Sequence, residues 1–161
     1  MKKALLIYFL FGTIFTANAQ NMAVLPVPQQ VSVGNGRFRL STTFTVAVKA
    51  DPGDSILYFA VNRAFQTLNR RTALYFGQQR ITAKGASDTC SLIIRVKQKK
   101  EAIPGGDESY TLTVTPQNIH LEAPATAGAL HGLETLLQLV QHDKEGFFLP
   151  AVSIQDSPRF V

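Results

Sequence analysis

Absences narrow the reading of this chain first. It has no tryptophan, and its other aromatics fall mostly at core spacings, so no flat platform for stacking sugars is evident. A single cysteine, Cys90, excludes an intrachain disulfide. Placed just before Leu92-Ile93-Ile94, it reads as a small packing residue opening a buried strand; a reactive thiol needs an electropositive neighbour that the local sequence does not supply. No apolar run reaches the ~20 residues of a membrane-spanning helix. The G-x-S-x-G nucleophile elbow, phosphate loops and dinucleotide fingerprints are all missing, and so are internal repeats and low-complexity tracts.

What is present begins with a leader. Met1 to Ala19 has the parts of a secretory signal peptide: Lys2 and Lys3, an apolar stretch from Ala4 to Phe15, and Ala17-Asn18-Ala19 before Gln20. An exported chain, periplasmic or secreted, is the expectation, with no membrane attachment after cleavage. Removing these 19 of 161 residues leaves 142, enough for one domain with a real core. Losing Lys2 and Lys3 from the 16 basic residues leaves 14 against 11 acidic ones, too even and too scattered to argue for nucleic-acid binding.

The rest alternates between strand and helix patterns. Val24 to Pro28 is extended, because its two prolines forbid helix. Val31 and Val33 alternate before a turn signal, Gly34-Asn35-Gly36, and Phe38–Leu40 and Phe44–Val48 read as short strands. Asp54 to Arg71 is a helix whose stripe is Ile56, Leu57, Ala60, Val61, Ala64, Phe65 and Leu68, with Asp54 as cap and Arg70 and Arg71 suited to the C-terminal dipole. Leu92 to Lys97 is a strand carrying Leu92, Ile94 and Val96 on one face. Tyr110–Thr115 and Ile119–Ala123 form a hairpin with Leu112, Val114, Ile119 and Leu121 inward, its turn set by Pro116 and Asn118. A second helix spans about Thr126 to Gln141, with Thr126 as N-cap and Ala129, Leu130, Leu133, Leu136, Leu137 and Val140 buried. Gly128 and Gly132 each cost it about 1 kcal/mol of propensity relative to Ala, which points to close backbone approach. Phe147 to Ile154 is a last strand, at an edge or bulged because of Pro150. The order β-β-α-β-β-β-α-β, with one apolar face per helix, predicts an α+β two-layer sandwich: a mixed, mostly antiparallel sheet with both helices on one face.

Several residues invite a chemical reading. His131 and Glu134 share a helix face, but zinc helices need a second His four residues from the first, and position 135 is Thr. Arg95, Lys97, Lys99 and Lys100 form a basic cluster that reads as a solvated strand face and its turn. Asp107-Glu108 is an adjacent acidic pair on a Gly-rich loop, whereas glycosidase carboxylates face one scissile bond. Tyr75-Phe76 before Gly77 is an aromatic pair at the end of an element. No catalytic, metal or cofactor residue is assigned from these patterns, and no cofactor is expected.

Three motifs in order carry a resemblance: Leu25-Pro26-Val27-Pro28-Gln29-Gln30, the Glu108–Leu139 hairpin and Gly-punctuated helix, and Asp156-Ser157-Pro158-Arg159-Phe160. Together they resemble the non-catalytic N-terminal domain of glycoside hydrolase family 20 β-N-acetylhexosaminidases. The resemblance divides the chain into a signal peptide (1–19), an accessory domain (20–153) and the start of a bridge (154–161) into a catalytic (β/α)8 barrel. It implies that the parent removes terminal β-linked N-acetylhexosamine from glycans, with the substrate's acetamido group as nucleophile, a Glu as general acid and the preceding Asp as orienter. That Asp-Glu pair belongs to the barrel and has no counterpart here, and Arg159 belongs to the bridge rather than to the sugar site. The implied role is mechanical, with the Gly128/Gly132 helix and the closing strand as candidate contacts to the barrel. An accessory domain before another glycosidase barrel, or a stand-alone carbohydrate or protein interaction module, are the alternatives.

Overall fold

The computed structural model describes residues 24–76, 81–83, 89–98 and 107–157. Residues 1–23, which hold the expected leader, and Gly77, Lys99, Lys100, Pro104-Gly105-Gly106 and Pro158–Val161 lie outside them. In chain order the elements are β1 (Gln30–Arg39), β2 (Val46–Lys49), α1 (Ser55–Thr72), β3 (Ile81–Ala83), β4 (Leu92–Gln98), β5 (Tyr110–Val114), β6 (Ile119–Ala125), α2 (Thr126–Gln138), β7 (Gln141–Asp143) and β8 (Gly146–Asp156). One sheet runs β1-β8-β5-β6-β4-β2-β3, and β7 pairs with β8 off that path. The β1–β8, β8–β5, β5–β6 and β7–β8 ladders are antiparallel. Those of β6–β4, β4–β2 and β2–β3 are parallel. Both helices cover the same face, giving the expected α+β sandwich.

Aligned positions across the ladders explain the core. Ile154, Leu112, Leu121, Ile94 and Val48 stand in one row, and Val152, Val114, Ile119, Leu92 and Val46 in the next. All are buried in a single cluster with Leu57, Val61, Phe65 and Leu68 of α1 and Leu133, Leu136 and Leu137 of α2. Each such side chain contributes about 1.5–3 kcal/mol by leaving water. Phe44, Phe65 and Phe76 add an aromatic knot, with centroids 5.9, 5.6 and 5.2 Å apart.

The helices lie side by side and run parallel. At their N-terminal ends Asp54 Oδ1 accepts the amide of Leu57 at 3.0 Å, and its Oδ2 accepts the hydroxyl of Thr126 at 2.5 Å. At their C-terminal ends Arg71 Nη1 donates to the Leu137 carbonyl at 2.9 Å. Thr126 is therefore not a cap. Ala125 holds that position without a side-chain bond, and the Thr126 hydroxyl is spent tying the two helix starts together.

Other expectations shift for physical reasons. Gly34-Asn35-Gly36 does not turn the chain: β1 runs through it, and the register against β8 slips between Val33 and Arg37. Gly36 adopts φ +95°, as a bulge with a left-handed residue requires. Pro150 sits opposite this bulge, and β8 changes its inward phase there, presenting Leu149 before it and Val152 and Ile154 after it. Ile56 leaves the α1 stripe and is exposed, and Leu130 and Val140 are only partly buried. α2 stops at Gln138, which frees Gln141–Asp143 for β7. Strands β3 and β7, three residues each, are absent from the expected order because so short a run shows no alternation.

Candidate functional site

The sequence candidates are dispersed by the fold. His131 and Glu134 both sit on the outer side of α2, but His131 Nε2 faces Glu108 at 3.5 Å while Glu134 pairs with Arg63 of α1 at 3.4 Å. Asp107 turns inward on its own loop, accepting the Ser109 amide at 3.0 Å and its hydroxyl at 2.5 Å. Arg95 pairs with Glu122 across the β4–β6 ladder at 3.0 Å, Lys97 is exposed beside it, and the rest of that basic cluster lies outside the described residues. Cys90 is partly buried just ahead of β4. Of the aromatic pair, Phe76 enters the core and Tyr75 points to solvent. No group of three or more His, Cys, Asp or Glu poised for a metal occurs among the described residues.

Gly128 and Gly132 are spent inside the domain. A Cβ on Gly128 would stand 2.0 Å from the Ser109 carbonyl oxygen, and one on Gly132 would stand 2.2 Å from Leu121 Cδ1. The close approach is thus of α2 to β5 and β6, and this stripe is not the surface offered to a further domain.

Two clefts of about 350 Å³ each flank the corner formed by Tyr110, Asp156 and Ser157. One is polar and opens beside Gln30, Lys97, Thr111, Glu122 and Gln155. The other is walled by Leu25, Val27, Glu108, His131, Glu134 and Gln138. At this corner the chain's two described ends are clasped. Gln138 takes the Leu25 amide on its Oε1 at 2.8 Å and donates to the Leu25 carbonyl at 2.9 Å. The Gln29 amide donates to Asp156 Oδ1, and the Gln29 side chain to the Ser157 carbonyl, both at 3.1 Å. Beneath, the buried Tyr110 hydroxyl meets Thr135 Oγ1 at 2.7 Å, and burial pushes the Tyr110 phenol above its ordinary pKa.

The strongest electrostatic cluster escaped the sequence reading. Asp143, at the end of β7, takes Arg39 Nη1 and Nη2 at 2.6 and 2.7 Å and Arg37 Nη1 at 2.5 Å, while Arg39 also reaches Glu145. Both guanidinium carbons lie over the Phe148 ring, 4.7 and 5.3 Å from its centroid. The Arg39 hydrogen bond, above all, holds the Asp143 carboxyl far below the usual carboxylate range, and the same bond raises Arg39. The cluster locks β1 to the β7–β8 turn. Two arginines two residues apart on a strand were its only local trace, and they name no partner until the topology is known.

The two described ends of the chain thus meet at one corner, and the described carboxylates are each held by neighbouring residues. The profile of the family described as "beta-acetyl hexosaminidase like" matches residues 24–139. The chain belongs to this family. Over 165 residues it is 27% identical to beta-hexosaminidase subunit A1 of Dictyostelium discoideum, covering 99% of this chain and 29% of that protein. It is 30% identical over 170 residues to beta-hexosaminidase 3 of Arabidopsis thaliana, covering 97% of this chain and 32% of that one. Among solved structures, the chitobiase of Flavobacterium johnsoniae superposes with a TM-score of 0.79 at 38% identity, over 86% of this chain and 21% of that one. The chain thus spans less than a third of the length of these hexosaminidase relatives.

Proposed function

We propose that this chain is the non-catalytic N-terminal accessory domain of an exported β-N-acetylhexosaminidase, followed by the barrel that hydrolyses terminal β-linked N-acetylhexosamine from glycans. The observation that carries the reading is the family match over residues 24–139 in a chain that spans less than a third of its hexosaminidase relatives. The side chains support it. The four carboxylates lining the two corner clefts are held by other residues: Glu108 by His131, Glu122 by Arg95, Glu134 by Arg63 and Asp156 by the Gln29 amide. None is left poised as an acid–base pair across a substrate. Export rests on the Met1–Ala19 leader.

Reading the gene past the codon for Val161 and assaying its whole product on a chromogenic N-acetylglucosaminide tests this. Residues 20–161 alone are expected to be inactive and the whole product active. Hydrolysis by residues 20–161 alone, or a stop codon after Val161, would refute it.

A further inference from the structure

The two faces of the sheet are finished differently. One carries the apolar rows beneath the helices. The other, along β1, β8, β5 and β6, carries side chains that are polar and mostly uncharged. Gln30, Gln155, Thr111 and Glu122 stand in one row across these four strands. Ser32, Ser153, Thr113 and His120 stand in the next. A face that has only to stay soluble is ordinarily rich in charge of both signs. Here six of these eight positions are neutral amides or hydroxyls. Among the described residues, none of those six side chains has a hydrogen-bond partner. The one carboxylate, Glu122, is paired with Arg95 at 3.0 Å. The first row also lines the polar cleft of about 350 Å³, with Lys97 at its β4 end.

The chemistry of this surface says what it would hold. Around the cleft Lys97 and Arg95 balance Glu122 and Asp156, so neither a polyanion nor a cation gains from the local field. Each free Gln amide presents N–H donors and a carbonyl acceptor, and each hydroxyl presents both functions. That mixture matches a neutral ligand whose own groups donate and accept in turn, as sugar hydroxyls and acetamido groups do. Neighbouring strands lie about 4.8 Å apart, so the row of four spans about 14 Å, enough for a short run of linked sugars. We infer that the solvent face of β1, β8, β5 and β6 is a second glycan-binding surface. It holds a neutral chain of N-acetylated sugars while the catalytic domain works on the chain's end. This rests on the accessory-domain reading and deepens it with a non-catalytic contact to the same substrate. Neither row carries an aromatic, so the contact rests on hydrogen bonds and is weak for a single short saccharide. It gains on a polymer, where the catalytic site and this surface engage one chain together.

The test uses the whole gene product, assayed first on a soluble chromogenic N-acetylglucosaminide. The probe is insoluble chitin, a neutral polymer of N-acetylglucosamine, in depletion assays run cold to slow hydrolysis. A Gln30→Ala/Gln155→Ala double variant and, separately, Thr111→Arg are compared with wild type. Gln117→Ala, on the β5–β6 turn outside both rows, is the control. The loss of chitin affinity in both site variants should exceed any loss of kcat/KM on the soluble substrate at least about fivefold. Gln30 and Gln155 are exposed, so their double variant decides the matter even if Thr111→Arg misfolds. Equal chitin binding by wild type and the double variant, in a product active on the soluble substrate, would overturn the surface alone. An equal loss in Gln117→Ala would do the same. Wild-type binding should persist in molar salt, and its disappearance there would assign it to the charged groups and overturn the inference. A gene product that ends at Val161 or lacks hexosaminidase activity would sink the accessory-domain reading, and this surface with it.

Discussion

Single atoms decide much at the α2–sheet contact. Gly128 faces a carbonyl of the backbone, which cannot swing away, whereas Gly132 faces the end of a leucine side chain, which can. Gly128→Ala should therefore destabilise by about 2–3 kcal/mol despite its better helix propensity. Gly132→Ala should cost about 1 kcal/mol or less. Urea denaturation of both variants checks the order, and equal losses would mean that Ser109 gives way as readily as Leu121. Ala73 is the complementary case. It closes α1 at φ +53°, a left-handed conformation that penalises any Cβ. Ala73→Gly should stabilise by about 0.5–1 kcal/mol after its extra freedom in the unfolded chain is subtracted, read as a higher urea midpoint. Neither effect was legible in the sequence. The Gly128/Gly132 spacing announced a close approach but not to what, and nothing local marks Ala73 as a C-cap.

At the scale of elements, polar side chains fasten the pieces together. Asp54 caps α1 and accepts from Thr126 while buried, so Asp54→Ala removes a cap and orphans a hydroxyl. A loss of about 2–3 kcal/mol is expected, with Asp54→Asn recovering part of it, measured by urea denaturation. The Arg39–Asp143 lock has a pH signature instead. The Asp143 pKa is depressed in the folded state, so its contribution is present above the ordinary carboxylate pKa of about 3.9 and is lost as pH falls through the depressed value. Thermal unfolding should show wild type exceeding Asp143→Asn by a constant margin from neutral pH down to about 4. The margin should shrink only in stronger acid. A margin that disappeared on going from pH 7 to pH 5 would show that some other group carries it.

For the whole molecule, one cluster joins both helices to every long strand except the exposed half of β1. Unfolding should be a single cooperative step, with tyrosine fluorescence and far-UV circular dichroism tracing coincident curves. Phe76→Ala, which removes one of the three rings of the aromatic knot, should lower stability by about 3–5 kcal/mol without splitting that transition. Separate transitions for α1 and for the β5–β6 hairpin would contradict a shared core.

The sequence by itself determined the parts with a local physical code. Helical stripes placed α1 and α2 to within a few residues, alternation placed β4 and the β5–β6 hairpin, and the ordered motifs of residues 25–30 and 108–139 named the family. Only the tertiary structure decided what depends on partners distant in sequence. Gly34-Asn35-Gly36 reads as a turn until β8 pairs across it and makes it a bulge. Thr126 reads as a cap until Asp54, 72 residues away, takes its hydroxyl. Arg37 and Arg39 are surface charges until β7 brings Asp143 beneath them. Periodicity reports which side of an element avoids water, because that preference is written in each side chain. It says nothing of which atom waits on the other side, since that atom arrives only when the sheet has been assembled.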